Sequence, residues 1–208
     1  MTAAREDILA AVRNALAGGS APEPVTRDYQ RHGARSQSER IDLFAQRVGD
    51  YRASVRRVAP SELGSAIAEL APGRIGVPAR LPHEWRPTRF VEDHDLTPQE
   101  LDALDGVVTG CTLAIAETGT LVLSSGPSEG RRALTLVPDL HLCVVRRSQV
   151  VETVPQAFDA LRDSALRPLT FVSGPSATSD IELQRVEGVH GPRNLIVLIL
   201  DDEDRRLR

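Results

Sequence analysis

The sequence predicts a layered α/β domain with a helical extension in front of it. From Ser54 onward, short apolar runs alternate with helical patterns, the order of elements that builds a sheet covered by helices. Leu195 to Leu200 is six aliphatic residues in succession, the pattern of a core strand. Thr97-Pro98-Gln99-Glu100 has the form of a helix start: a capping threonine, a proline at the first helical position, and a glutamate able to close a capping box.

In chain order, Thr2 caps a helix over Ala3 to Ala17, with Ile8, Leu9, Val12 and Leu16 on one stripe and Gly18-Gly19 as its stop. Gly18 to Gln37 holds two prolines, two serines and three glycines and reads as a linker. A second helix begins at Ser38, with Ile41, Phe44, Val48 and Tyr51 spaced for one face. These two stripes fold back onto the chain or dock on a partner. The expected division is residues 1–53 as helical extension and linker, and 54–208 as the α/β domain. Within the latter, Ser54 to Val58, Arg74 to Val77 and Thr88 to Val91 are strands and Glu62 to Leu70 is a helix. Gly106 ends the helix that Thr97 opens. Leu113 to Ala116 and Leu121 to Leu123 are strands joined by a tight turn, Leu140 to Val145 is a strand, and Pro155 to Asp163 is a helix opened after Thr153. Leu169 to Val172 reads as a buried strand.

The bulk properties exclude several classes. A length of 208 residues with 41% hydrophobic content supports a real core. A net charge of −4 and 3% aromatic residues give little for nucleic acid to bind. All twenty-five basic residues are arginine, so Schiff-base chemistry and a Walker-type phosphate loop, which need a lysine, are ruled out. Cys111 and Cys143 cannot supply four thiolates to a zinc or iron–sulfur site, and they suggest no disulfide framework. The N-terminus carries acids where a signal peptide needs a basic and then apolar run, and no segment approaches membrane-spanning length. The expectation is a cytoplasmic, reduced, soluble protein.

Two loops hold the candidate site residues. The turn Glu117-Thr118-Gly119-Thr120 carries a carboxylate out of the sheet. On a solvent-exposed turn Glu117 is only a turn residue; facing a cleft it is a general base, a nucleophile, or the partner of an arginine such as Arg131 or Arg132. The second loop, Ser173-Gly174-Pro175-Ser176-Ala177-Thr178-Ser179-Asp180, links two apolar runs, the place where α/β proteins keep ligands. Ser176 or Thr178 either caps a short helix or, with Ser173 and the Gly174 backbone, donates to an anion, and Asp180 either contacts the ligand or neutralises the helix end. Thr118, Gly119 and Thr120 complete the expected ligand-binding set. His190, in Gly188-Val189-His190-Gly191-Pro192, is the histidine to consider for proton transfer, the alternative being a bond to its own loop. Leu121 to Ser128 echoes Leu169 to Ser176, each an apolar strand running into Ser-Gly-Pro-Ser, and only the second is followed by a possible helix start.

Familiar signatures are missing. Gly174-Pro175-Ser176-Ala177-Thr178 lacks the last glycine of a hydrolase nucleophile elbow, and no Gly-x-Gly-x-x-Gly follows a strand. His32, His83, His94, His141 and His190 show no helical metal-ligand spacing, so no metal site is expected.

Ala116-Glu117-Thr118-Gly119-Thr120, Ser173-Gly174-Pro175-Ser176 with Asp180-Ile181-Glu182, and Gly188-Val189-His190-Gly191-Pro192 occur in this order. Together they resemble the lactate utilization (LUD) domain family, in particular the lactate utilization protein C, or YkgG, family. The resemblance runs from the first helix to Leu200. It implies an open, mainly parallel α/β sheet flanked by helices, similar to the NagB/RpiA/CoA-transferase-like superfamily. It also implies a role in oxidising L-lactate to pyruvate beside partner proteins, at least one with iron–sulfur clusters, this chain being the cluster-free member with no cofactor of its own. CoA transferases of that superfamily use a glutamate in Glu-x-Gly-x-x-Gly; Glu117-Thr118-Gly119 matches the first half, and Val122 stands at the second glycine. The alternative is a stand-alone enzyme or binding protein for a phosphorylated or CoA-linked small molecule.

Overall fold

The computed structural model describes residues 2–17, 25–26, 30–162, 167–174, 177–178, 186–187 and 191–201. The chain divides into two compact units, Met1–Gln30 and Arg31–Arg208. In the first, α1 (Thr2–Leu16) forms where the stripe predicts it, with Ile8, Val12 and Leu16 exposed.

The second unit starts with α2 (Gln37–Asp50) and its capping box, in which Ser36 Oγ accepts the Glu39 amide and Glu39 accepts the Ser36 amide. Ile41, Phe44 and Val48 are buried in the core, so α2 folds back onto the α/β elements. The compact unit therefore begins at Arg31, and the division expected at 53/54 falls inside it. The expected linker is also too long, because residues 31–36 are pinned to the body by Arg31 and Arg35.

Six strands form the main sheet: β1 (Ser54–Val58), β2 (Ile75–Pro78), β3 (Phe90–Asp93), β4 (Gly106–Gly110), β7 (Leu140–Arg146) and β12 (Asn194–Leu200). Their order is β1-β12-β7-β4-β2-β3, and every pairing is parallel. A parallel sheet is covered on both faces, which is why β12 is apolar from Leu195 to Leu200. Leu142, Val144 and Leu198 pack with α3 (Leu63–Leu70) on one face, while Cys143, Val145, Val197 and Ile199 pack with α2 on the other. Gly106 does not end a helix. The helix α4 (Pro98–Asp102), with the predicted Thr97 capping box, stops earlier, and Gly106 opens β4 where a Cβ would fall 2.9 Å from Leu140 Cβ.

A second sheet of four strands lies against the α2 face: β5 (Leu113–Ile115), β6 (Thr120–Leu123), β8 (Val150–Val151) and β9 (Thr170–Val172), in the order β8-β5-β6-β9. Ala114, Leu121 and Leu123 join the main core from this sheet. The run read as a buried strand, Leu169 to Val172, is instead the edge strand β9 of this small sheet, and Phe171 is exposed beside Phe158 of α6 (Val154–Ala160). Of the loop after it, Ala177–Thr178 forms β10, paired antiparallel with β11 (Val186–Glu187), and the expected cap at Ser176 lies outside the described residues. The short α5 (Arg132–Leu136) precedes β7.

Candidate functional site

The antiparallel pairing of β6 and β9, with Leu121 opposite Val172 and Leu123 opposite Thr170, decides which loops can meet. Loops that follow antiparallel strands leave at opposite ends, so the two Ser-Gly-Pro-Ser segments cannot share one ligand. The same register puts the end of β9 beside the start of β6. Thr118 Oγ1 lies 2.7 Å from Thr120 Oγ1, which lies 2.7 Å from Ser173 Oγ, a chain of three hydroxyls joining the two predicted motifs.

The Glu117 turn is fixed by β5's other neighbour. The Ala116 amide donates to the Val151 carbonyl at 2.9 Å and the Glu117 amide to the Glu152 carbonyl at 3.0 Å. The Glu117 side chain is exposed, and among the described residues it makes no ion pair. Arg131, one of its expected partners, instead grips Asp93 through two hydrogen bonds of 2.7 and 2.8 Å and also donates to the Leu96 carbonyl.

Both motif glycines are required where they stand. Gly119, at φ 62°, faces the backbone of Arg47 and Val48, and Gly174, at φ 81°, faces Tyr51. The last turn of α2 thus closes over both loops. A helix C-terminus carries partial negative charge. The described part of the arrangement offers hydroxyls and a carboxylate for hydrogen bonding and proton transfer. Ser176, Asp180 and His190 lie outside the described residues, and Thr178 is described only as part of β10.

Sequence reasoning missed a second polar centre at the other end of the small sheet. The buried Glu129 carboxylate accepts the Ser124 amide at 2.5 Å, the Gly126 amide at 3.0 Å and the Thr112 hydroxyl at 2.5 Å. Its loop covers the carboxyl ends of β2 and β4: the Gly110 amide donates to the Ser128 carbonyl at 2.8 Å, and Gly130 sits against Pro78. There the connections diverge, β2 leading to β3 on one side and β4 toward β7 on the other, the usual ligand crevice of such sheets. The protein's own loop lies over it. An acid among serines and glycines reads locally as a turn, and nothing in its neighbours in sequence reports the Thr112 contact.

His141 is fully buried, and burial pulls its pKa down to about 4. Thr109 Oγ1 donates to the Gly110 carbonyl, so His141 Nε2, 2.7 Å away, is assigned the ring proton, and Nδ1 has no partner. Cys111 and Cys143 are buried and free; the neighbouring Cys143 thiol, then burial, push the Cys111 thiol well up. Among the described residues no three His, Cys, Asp or Glu side chains are placed to hold a metal ion, and no helix is long and apolar enough to cross a membrane.

Comparison with known proteins places this architecture. The chain is 43% identical over 204 residues to a lactate utilization protein C of Deinococcus radiodurans, covering 95% of both chains. It is 34% identical over 139 residues to the uncharacterized protein YkgG of Escherichia coli, covering 62% of this chain and 58% of that one. A crystal structure of a DUF162 family protein from D. radiodurans superposes with a TM-score of 0.71 at 38% identity, covering 81% of this chain and 100% of that one. The expected open, mainly parallel sheet flanked by helices is thus the fold this chain has and shares with a solved relative. The family model for the LUD domain matches residues 5–200, which hold both sheets and both motif loops, and the chain belongs to the LUD domain family.

Proposed function

We propose that this chain is the cluster-free component of a cytoplasmic lactate utilization system that oxidises L-lactate to pyruvate beside iron–sulfur partner proteins. The observation that supports this reading is the match along 95% of both chains to a relative named lactate utilization protein C. Oxidation of a 2-hydroxy acid to a 2-oxo acid removes two electrons and two protons. Cluster ligation takes about four thiolates, and this chain has two cysteines, both buried in the core. The electrons therefore go to a partner protein.

The chain's own part is to hold the small carboxylate ligand and manage a proton. Glu117 is the exposed base, and the Thr118–Thr120–Ser173 hydroxyls bind the ligand's oxygen atoms. A phosphorylated or CoA-linked ligand has less to support it, because the C-terminal turn of α2 that closes over both loops brings partial negative charge toward them.

The test is reconstitution. The chain is purified together with its partner proteins, and L-lactate-dependent electron transfer to an artificial acceptor is measured with and without it. The expected result is loss of lactate oxidation when the chain is omitted, while the chain alone is colourless. Equal rates with and without it would refute the proposal.

A further inference from the structure

Residues 31–36 run as a strap along the stretch from the end of β8 into α6, held chiefly by two acids, Asp159 and Glu152. Arg31 Nη2 donates to both Asp159 carboxylate oxygens at 2.9 and 3.0 Å, and Thr153 Oγ1 donates to the Arg31 carbonyl at 2.8 Å. Arg35 donates its amide to Glu152 Oε2 at 3.0 Å and its Nη1 to Glu152 Oε1 at 2.7 Å. The Glu152 side chain is only 4% exposed, whereas that of Arg35 is 51% exposed. Gly33 lies directly on the carboxylate: a Cβ there would fall 1.7 Å from Glu152 Cδ. The strap has a glycine because the acid fills the space a side chain would need.

We propose that the strap sets the position of the Glu117 turn through Glu152, which makes Glu152 a positioning residue of the candidate site. The side chain of Glu152 belongs to the strap, while its carbonyl accepts the Glu117 amide. Removing the strap's hold leaves a buried carboxylate with too few donors, and such a group moves toward water. Its main chain moves with it, and the hydrogen bond under the Glu117 turn lengthens. The chain of the N-terminal unit continues into this strap at Arg31. The inference rests on reading the Glu117 turn as part of the working site, and its first measurement does not depend on activity.

Amide hydrogen exchange is followed by NMR on the full chain, in Arg35→Ala, Gly33→Ala and Arg35→Lys. Arg35→Ala truncates a half-exposed side chain and keeps the fold, which guards against a Gly33→Ala chain that does not fold. Exchange at Glu117 should quicken about tenfold or more in Arg35→Ala and Gly33→Ala, while Val197 to Ile199 in β12 keep their rates. Arg35→Lys, which retains a cation within reach of Glu152, should restore slow exchange. Unchanged exchange at Glu117, or an Arg35→Lys chain as fast as Arg35→Ala, overturns the proposal. If exchange quickens but reconstituted lactate oxidation is unaffected, Glu152 still positions the turn and the role given to the turn is what fails.

Discussion

Thr120 and Ser173, fifty-three positions apart in sequence, share a hydrogen bond of 2.7 Å between their hydroxyls, and through it the two loops become one surface. Thr120 is nearly buried at the start of β6, so its hydroxyl is held by Thr118 on one side and Ser173 on the other. Thr120→Val keeps the strand's shape and removes both contacts. Each of Thr120→Val and Ser173→Ala should cost about 1 kcal/mol in urea unfolding. Since they delete the same bond, the double variant should cost clearly less than the two together. Strict additivity would mean the contact contributes nothing.

Glu117→Gln separates chemistry from stability. The side chain is exposed, so the free energy of unfolding should change by less than about 0.5 kcal/mol. If it serves as the base, lactate oxidation by the reconstituted system should drop by about 100-fold or more. Full activity in Glu117→Gln would return the residue to the status of a turn position.

Gly119 and Gly174 hold the two loops against α2, and neither tolerates a side chain. At Gly119 a Cβ would lie 2.8 Å from the Arg47 backbone carbon, and at Gly174 it would lie 2.4 Å from Tyr51 Cβ, both at positive φ. Alanine at either position adds left-handed strain to a clash, so each should lose about 2 kcal/mol or more. Thermal melting at matched concentration checks this, and a shift within error at both would mean that α2 does not close over the loops.

How far the sequence revealed this arrangement depended on the range of the interactions. The capping boxes at Thr97 and Thr153 are local, so those helix starts show in the sequence, whereas the Ser36 box of α2 falls in the stretch that reads as linker. The turn between Leu113–Ile115 and Thr120–Leu123 is local too, and it formed as read. By contrast, Arg35 meets Glu152 across 117 positions, and the composition of Gly18 to Gln37 says only that the segment is polar. Glu129 is a buried acid in a run of turn formers, and its Thr112 partner sits on the far side of a hairpin. A two-residue strand such as Ala177–Thr178 is defined by its partner rather than by its own residues, so nothing in the serine-rich loop foretells it. Leu169 to Val172 is apolar because one side packs on α6; sequence alone does not tell an edge strand from a central one.

Truncation tests where the compact unit begins. Deleting residues 1–30 leaves Arg31, Arg35 and the Ser36 cap in place, so the remaining chain should unfold in urea with unchanged stability. Deleting residues 1–36 also removes the Ser36 cap and every strap contact to Glu152 and Asp159. A lost cap and a buried carboxylate without its donors should together cost about 3 kcal/mol. Equal stability of the two truncated chains would show that the strap contributes nothing to the fold.

The last expectation concerns acid. His141 is fully buried, its pKa falls from 6.5 to about 4, and burial is the cause. The unfolded chain therefore takes up a proton between those values that the folded chain refuses. Stability from this group is complete above pH 6.5 and declines as the pH falls toward 4, by about 3 kcal/mol in all. The carboxylates of Glu39, Glu92, Glu100 and Asp159 are held below their ordinary range by hydrogen bonds, chiefly from Ser36, Arg86, Thr97 and Arg31. What they contribute is lost only as the pH drops below the usual carboxylate range, so the upper part of the acid window belongs to the histidine. His141→Phe fills a similar volume without a titratable group, and Thr109 keeps its bond to the Gly110 carbonyl. Urea unfolding of the natural chain at intervals between pH 7 and pH 4.5 should show a slope approaching about 1.4 kcal/mol per pH unit. In His141→Phe most of that slope should vanish, and an identical slope in both chains would mean that His141 already has access to water in the folded state.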